Sequence, residues 1–327
     1  MPDLRRGVLF GAAAYTMWGL FPLYWPLLKP SDAVEILAHR MVWSLVAVAA
    51  VLAVRRHWSW FRELARRPAK LGLLSLAAVV ITVNWGTYIY AVNTGHVVES
   101  ALGYFISPLV NVLFGVVLLR ERLRPLQWTA VGFGALAVLV LTVDYGRPPW
   151  IALTLGMSFG VYGLVKKRAN VAATESLAVE TLVLLLPALG YLLFLQGTGA
   201  ATFGTEGIWH AALLASGGLV TAVPLICFGA AAIRVPLSTM GLLQYIAPIL
   251  QFACGVLIVQ EVMPPSRWIG FAIVWVALAV FTYDSLRTAR TAARVRRSAT
   301  PAGEPAGGRA GDPPSGPAGD QPLRSTT

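Results

Sequence analysis

Apolar runs of roughly 20 residues, the length that crosses about 30 Å of hydrocarbon, follow one another along this chain with only short polar punctuation between them. Ten can be drawn, over 7–28, 33–54, 71–92, 98–119, 125–143, 149–165, 176–195, 211–233, 236–259 and 265–283. In lipid every backbone donor and acceptor must be satisfied within its own segment, so each run is expected to be a helix. The fold class that follows is an all-α integral membrane protein with ten transmembrane helices. From about Ser298 the chain turns to Pro, Gly and Ala without apolar periodicity, the composition of a disordered tail.

The pattern repeats. A shift of 140 residues lays ALGYFISPLVNVLFGVVLLRERLRPLQW (101–128) on GLLQYIAPILQFACGVLIVQEVMPPSRW (241–268) without a gap. Pro108 meets Pro248, Gly115 meets Gly255, Glu121 meets Glu261, Trp128 meets Trp268, and further on Asp144 meets Asp284. Shared apolar composition would not align Pro, Glu, Trp and Asp together. Near the start of each half, AAYTMWG (13–19) resembles MSFGVYG (157–163). The chain therefore divides into a five-helix repeat over 1–145, a second over 146–287 and a basic tail over 288–327. Five is odd, so the second repeat must lie inverted in the membrane, an architecture found in many secondary transporters.

Composition agrees and removes other classes. With 57% hydrophobic and 13% charged residues, a soluble domain would expose far too much apolar surface. The net charge of +11 is placed by the succession of spans rather than on a nucleic-acid-binding face or arm, so nucleic acid is not the expected partner. With a cytoplasmic N-terminus, all but four of the 26 Lys and Arg fall on one side of the ten spans, the exceptions being Lys29, Arg147, Arg267 and the intramembrane Arg40. This is the positive-inside distribution, and it predicts that both termini are cytoplasmic. Arg120, Arg122 and Arg124 surround Glu121, whereas Gln260, Val262 and Pro264 surround Glu261 on the side where arginine is disfavoured. The glutamate survives in both copies, which points to a structural task at a helix junction.

Candidate chemistry gathers at two depths. Pro108 lies about ten residues, or roughly 15 Å, into its span, near the midplane. Proline has no N–H, so Pro108 frees the carbonyl of Tyr104, Pro248 frees that of Gln244, and Pro22 frees that of Trp18. Two loosened helices are then expected to meet at equal depth, with Tyr104, Ser107 and Asn111 on one and Gln244, Tyr245 and Gln251 on the other. Asn84, Trp85 and Tyr88 from NWGTYIYAVN (84–93) and Trp18 complete the expected substrate cavity, whose aromatic walls suit a small, partly apolar solute. The plainer reading is that the prolines are structural kinks with self-satisfied neighbours and that some aromatics, Tyr90 above all, belong to the interfacial belt.

The second depth is EILAHRMVWS (35–44). Glu35 and His39 are four residues apart on one helix face and could exchange a proton near neutral pH, which would make proton coupling part of the mechanism. Arg40 points about 100° away from His39. A bare charge in the bilayer centre costs about 2.5–3.5 kcal/mol, so Arg40 either snorkels to the outer surface or serves a polar site. Glu180 takes the repeat position of His39 and, by inversion, is expected near the inner mouth. These four are the expected coupling and gating set. GFGALA (132–137) fits a dinucleotide pattern but follows no strand. No metal spacing is present and no cofactor is called for; Cys227 and Cys254 are expected to be packing residues. GVLFG (7–11) and GMSFG (156–160) are better explained by close helix packing than by dimerisation.

The stretches EILAHRMVWS, NWGTYIYAVN, ESALGYFISPL (99–109) and LQYIAPILQF (243–252) resemble the RarD branch, the chloramphenicol-sensitive proteins, of the EamA drug/metabolite transporters. The likeness covers roughly residues 5–287. It implies a permease of the bacterial inner membrane that moves a small solute by alternating access. Where that branch more often carries Ser and Asn in the S-L-G-Y-F-I-N-P-L element, this chain has Ala101 and Ser107. The expected function is a secondary transporter or exporter of a small metabolite or drug-like solute, with that solute and membrane lipids as partners. The alternatives are a membrane enzyme acting on a lipid-linked substrate, which the dispersed Glu35, Glu99 and Glu180 disfavour, and a membrane scaffold or sensor, which would not need matched kinks.

Overall fold

The computed structural model describes residues 2–54, 59–119, 123–232, 234–235 and 237–299. These residues are helical throughout, with no strand among them: α1 (Pro2–Gly19), α2 (Phe21–Tyr24), a 3-10 turn (Trp25–Leu28), α3 (Ala33–Val54), α4 (Ser59–Ala65), α5 (Pro68–Asn93), α6 (Val97–Leu119), α7 (Pro125–Tyr145), α8 (Trp150–Ala169), α9 (Ala173–Thr198), α10 (Ile208–Ala232), α11 (Leu237–Leu243), α12 (Ile246–Ala253), a π turn (Cys254–Ile258) and α13 (Pro265–Ala299). Within the described residues the expected apolar runs lie mainly on helical backbone. Six helical stretches among the described residues are long and apolar enough to cross a membrane. Arg55, Arg56, Arg120, Glu121, Arg122 and the tail from 300 onward lie outside the described residues.

Local chemistry sets the boundaries. Asp32 caps α3, its Oδ1 accepting from the amides of Val34 and Glu35 at 2.8 and 2.7 Å. Pro68, Pro125 and Pro265 open α5, α7 and α13 at a position whose N–H has no helical partner. Gly146 and Gly199 end α7 and α9 at φ 65° and 71°, which a side chain would strain.

The prolines act unequally. The run 7–28 stops being a regular helix at Gly19 and continues as α2 and a 3-10 turn around Pro22 and Pro26. The run 236–259 is interrupted at Gln244 and Tyr245, one turn before Pro248, and closes as a π turn. Its partner α6 runs unbroken through Pro108. Close packing holds α6 in line: a Cβ on Gly103 would lie 2.8 Å from the Ala152 carbonyl oxygen of α8, so the two backbones touch. The expectation of two equally loosened helices is corrected to one broken and one intact.

Residues 1–287 form one compact unit. Within it α3 packs on α9 and α10, α5 on α8 and α9, α6 on α8 and α12, and α1 on α10 and α12. The helices of the first half thus interleave with those of the second. The glycines of GVLFG and GMSFG sit in these contacts within the chain: Gly11 faces Leu243, and Gly156 faces the Gly103 carbonyl. The outer surface is apolar, with Leu186 78% and Val143 77% exposed, as expected where lipid is the solvent.

Candidate functional site

The site is built where α10 comes closest to α3. Gly217 and Gly218 lie on α10, and a Cβ on Gly218 would run into the Trp43 carbonyl of α3. That approach brings Thr221, one turn further along α10, to Arg40: Arg40 Nε donates to Thr221 Oγ1 at 2.8 Å. The guanidinium is buried, and its Cζ lies 3.7 Å from the ring centroid of Trp85, 5.1 Å from that of Trp25 and 5.8 Å from that of Phe21. A desolvated cation over an indole face gains about 2 kcal/mol, which offsets part of the cost of burying the charge. The phenols of Tyr24, Tyr88 and Tyr104 lie within electrostatic range. Among the described residues no carboxylate pairs with Arg40, and its Nη1 has no hydrogen-bond partner. The snorkelling alternative is therefore corrected: Arg40 turns inward, to an aromatic cage assembled by α2, the 3-10 turn and α5.

The expected cavity residues divide. Asn84 donates to the Leu155 carbonyl and to Ser158 Oγ at 3.1 and 3.0 Å and accepts from the Tyr104 hydroxyl at 3.1 Å, so it is saturated and ties α5 to α6 and α8. Ser107 returns its hydroxyl to the Gly103 carbonyl at 2.9 Å. Gln251 donates to the Trp18 carbonyl at 3.2 Å, so the acceptor that Pro22 releases is filled from α12. For Asn84 and Ser107 the structural reading describes the contacts, whereas the buried Oε1 of Gln251 has no partner. Tyr88 differs: it is buried, stands edge-on to Tyr104 with centroids 5.7 Å apart, and its hydroxyl has no partner. Pro108 and Pro248 are buried, Asn111 is exposed with its Oδ1 beside Gly160, and Gln244 and Tyr245 are half-buried at the break before α12. Tyr90 is exposed beside Trp150, as a belt residue would be.

The expected Glu35–His39 pair is not formed. Glu35 Oε1 accepts instead from the Thr202 amide at 2.8 Å, in the loop between α9 and α10. His39 stacks on Phe203 of the same loop, with centroids 4.7 Å apart and Nε2 unpartnered. Ser31 joins Thr202 at 2.5 Å and His210 at 2.9 Å, so the loop is pinned over the start of α3. The reason is tertiary: a helix face shared by Glu35 and His39 is covered by a loop that offers a free amide to one and a ring to the other. Beside this loop a cleft of about 470 Å³ opens between Lys29, Asp32, Tyr90 and Asn93.

Glu180 lies elsewhere, buried at the start of α9, where it accepts from Lys166 at 2.8 Å, Ser176 at 2.6 Å and Tyr162 at 3.0 Å. Lys166 also contacts Ser176. Glu261 carries out the junction task foreseen for it, its carboxylate accepting from the Val98 amide at the start of α6 at 3.0 Å. Burial pushes that carboxyl up to about 7. Sequence reasoning missed Trp25, Thr221 and Phe203. The Gly217–Gly218 pair, followed one turn on by a threonine in an apolar run, was a usable sign for Thr221; nothing local marks the other two.

Comparison with known proteins places this arrangement. Residues 5–143 match the EamA-like transporter family. The chain is 61% identical over 310 residues to Protein RarD of Streptomyces exfoliatus, covering 93% of this chain and 98% of that one. It is 42% identical over 286 residues to Protein RarD of Escherichia coli (strain K12), covering 88% and 97%, and 42% identical over 294 residues to the uncharacterized transporter YojE of Bacillus subtilis (strain 168), covering 88% and 97%. A solved structure titled "Crystal structure of protein" superposes with a TM-score of 0.54 at 20% identity, over 86% of this chain and 98% of that one, a likeness of fold alone. These findings define a multi-pass membrane transporter. The chain belongs to the RarD branch of the EamA-like transporter family.

Proposed function

We propose that the protein is a secondary active transporter that carries a small metabolite or drug-like solute across the bacterial inner membrane by alternating access. It is built from ten spans as two inverted five-helix repeats, 1–145 and 146–287, with both termini cytoplasmic. The observation that carries this reading is the reciprocity of contacts between the halves. Asp144 at the end of α7 pairs with Arg267 at the start of α13 at 3.0 Å, and Asp284, 140 residues after Asp144, pairs with Arg124 at the start of α7 at 2.9 Å. Likewise α1 packs on α10 and α12, as its repeat mate α8 packs on α5 and α6. An antiparallel α7 and α13 would exchange matching ends in this way, which supports the inverted reading.

The connections also gather as alternating faces require. Loop 29–32 meets loop 199–207, Glu261 meets Val98, and Glu99 pairs with Arg147 at 2.9 Å, all on the face assigned outside. Lys166 with Glu180 and Arg234 with Asp3 fall on the other. The Thr202–Glu35 closure over α3 and the Lys166–Glu180 network are the outer and inner gates of this reading, with the Arg40 cage between them. Proton coupling falls to His39 without Glu35 in this reading, with His210 the neighbouring titratable group.

Flux tests this directly. Proteoliposomes loaded with a bacterial metabolite extract should release at least one small solute faster than protein-free liposomes, and a pH gradient shows whether protons drive it. Chemical turnover of a solute without movement across the bilayer would overturn the proposal.

A further inference from the structure

A buried arginine retained only for structure would be expected to have its donors filled, because buried polar groups in folded proteins are hydrogen-bonded. Arg40 departs from this. Its Nε is held by Thr221, its Nη1 has no partner, and aromatic rings rather than a carboxylate surround its planar faces. Two further polar groups of the same neighbourhood are unfilled, the Tyr88 hydroxyl and the indole N–H of Trp25. Asn84 and Tyr104 close by are saturated by one another and by α8, so they take no part in the deficit. What is unfilled around Arg40 is therefore one positive charge with a free N–H edge, beside the Trp25 N–H and the hydroxyls of Tyr88 and Ser44, which can donate or accept, and bordered by apolar and aromatic surface.

The complement of that charge and its free N–H edge is an acceptor group with one negative charge on an apolar body. We propose that Arg40 is the specificity-determining residue of the transport site, and that it selects small organic anions, a carboxylate joined to an aromatic or branched aliphatic body. The carboxylate would take the bidentate fork of the guanidinium. Trp85 and Trp25 would flank its apolar body. Thr221 is a positioning residue, since it fixes the Nε edge and leaves the other edge of the fork for the ligand. The Glu35–Thr202 closure and the Phe203 ring above His39 cover this site from the outside. The inference rests on the transporter reading for its direction but not for its first test, which is binding.

The probes are three matched series that differ only in charge: phenylacetate and isovalerate, the amides of the same acids, and phenethylamine and isoamylamine. Binding to the purified full-length protein in nanodiscs is followed by tryptophan emission, to which Trp25 and Trp85 contribute. At least one acid should bind saturably, at least tenfold tighter than its amide or amine. In Arg40→Gln that preference should vanish, and Thr221→Val should weaken acid binding severalfold without abolishing it. The wild-type charge series alone decides the matter if Arg40→Gln does not fold. Equal binding of acid and amide, tighter binding of an amine, or no binding by either acid would overturn the proposal. Saturable acid binding with no counterflow of that acid in proteoliposomes would sustain the anion site and count against the transporter reading. Flux confined to neutral or cationic solutes would do the reverse.

Discussion

At the scale of single residues, similar polar side chains carry very different loads. Asn84 has three partners on two other helices, whereas Asn111 is exposed beside Gly160. Removing the Asn84 amide takes the acceptor from the half-buried Tyr104 hydroxyl and leaves the Leu155 carbonyl only its contact with Ser158, a loss of about 1–3 kcal/mol. Asn84→Ala should therefore lower the thermal midpoint in detergent clearly, while Asn111→Ala should change stability by less than about 0.5 kcal/mol. Equal effects of the two would contradict the assignment of Asn84 as a tie between α5, α6 and α8.

At the scale of elements, two junctions decide how helices meet. Gly218 lets α10 touch α3, and the obstacle to a larger residue is backbone, which cannot rotate aside; the neighbouring Gly217 has nothing nearer than the Tyr24 hydroxyl at 3.7 Å. Gly218→Ala should abolish monodisperse protein on size-exclusion chromatography or cost several kcal/mol, and Gly217→Ala should be tolerated. At the second junction burial holds the Glu261 carboxyl at about 7, above its ordinary 4.5, against the opposing pull of the Val98 and Val97 amides and Arg267. The folded protein then keeps this proton more tightly than the unfolded chain. The contribution is complete below the unfolded value and is lost as pH rises through about 7. Thermal midpoints measured from pH 4.5 to 7.5 should fall in the wild type relative to Glu261→Gln, whose amide still caps α6. A constant difference across that window would show that the carboxyl titrates normally.

For the whole molecule, the decisive property is which loops share a side. In a chain whose only cysteines, Cys227 and Cys254, are replaced, Thr205→Cys should react with an impermeant maleimide in intact cells. Ser315→Cys in the tail should react only after the membrane is opened. Labelling of the tail in intact cells with Thr205→Cys protected would reverse the orientation derived from the arginines, and labelling of both positions from outside would refute the three spans expected between them.

The sequence by itself determined the helical segments, because hydrocarbon admits apolar helices of one length and each run carries that length in its own residues. It also indicated the junction role of Glu261, since that residue lies at the same offset of 140 from Glu121 as Pro248 does from Pro108. It did not determine which polar side chains would be consumed by one another. Glu35 and His39 share a helix face, yet a loop more than 160 residues away takes both, one by an amide and one by a ring. Pro108 and Pro248 are matched in sequence, yet only the second lies beside a break, because α8 braces α6 through Gly103. Arg40 is visible in any reading of its span, but whether it reaches the surface or the centre depends on Thr221, Trp25 and Trp85, which come from three other segments. Such choices belong to tertiary structure, because the partner that satisfies a buried polar group is set by contact in space rather than by spacing along the chain.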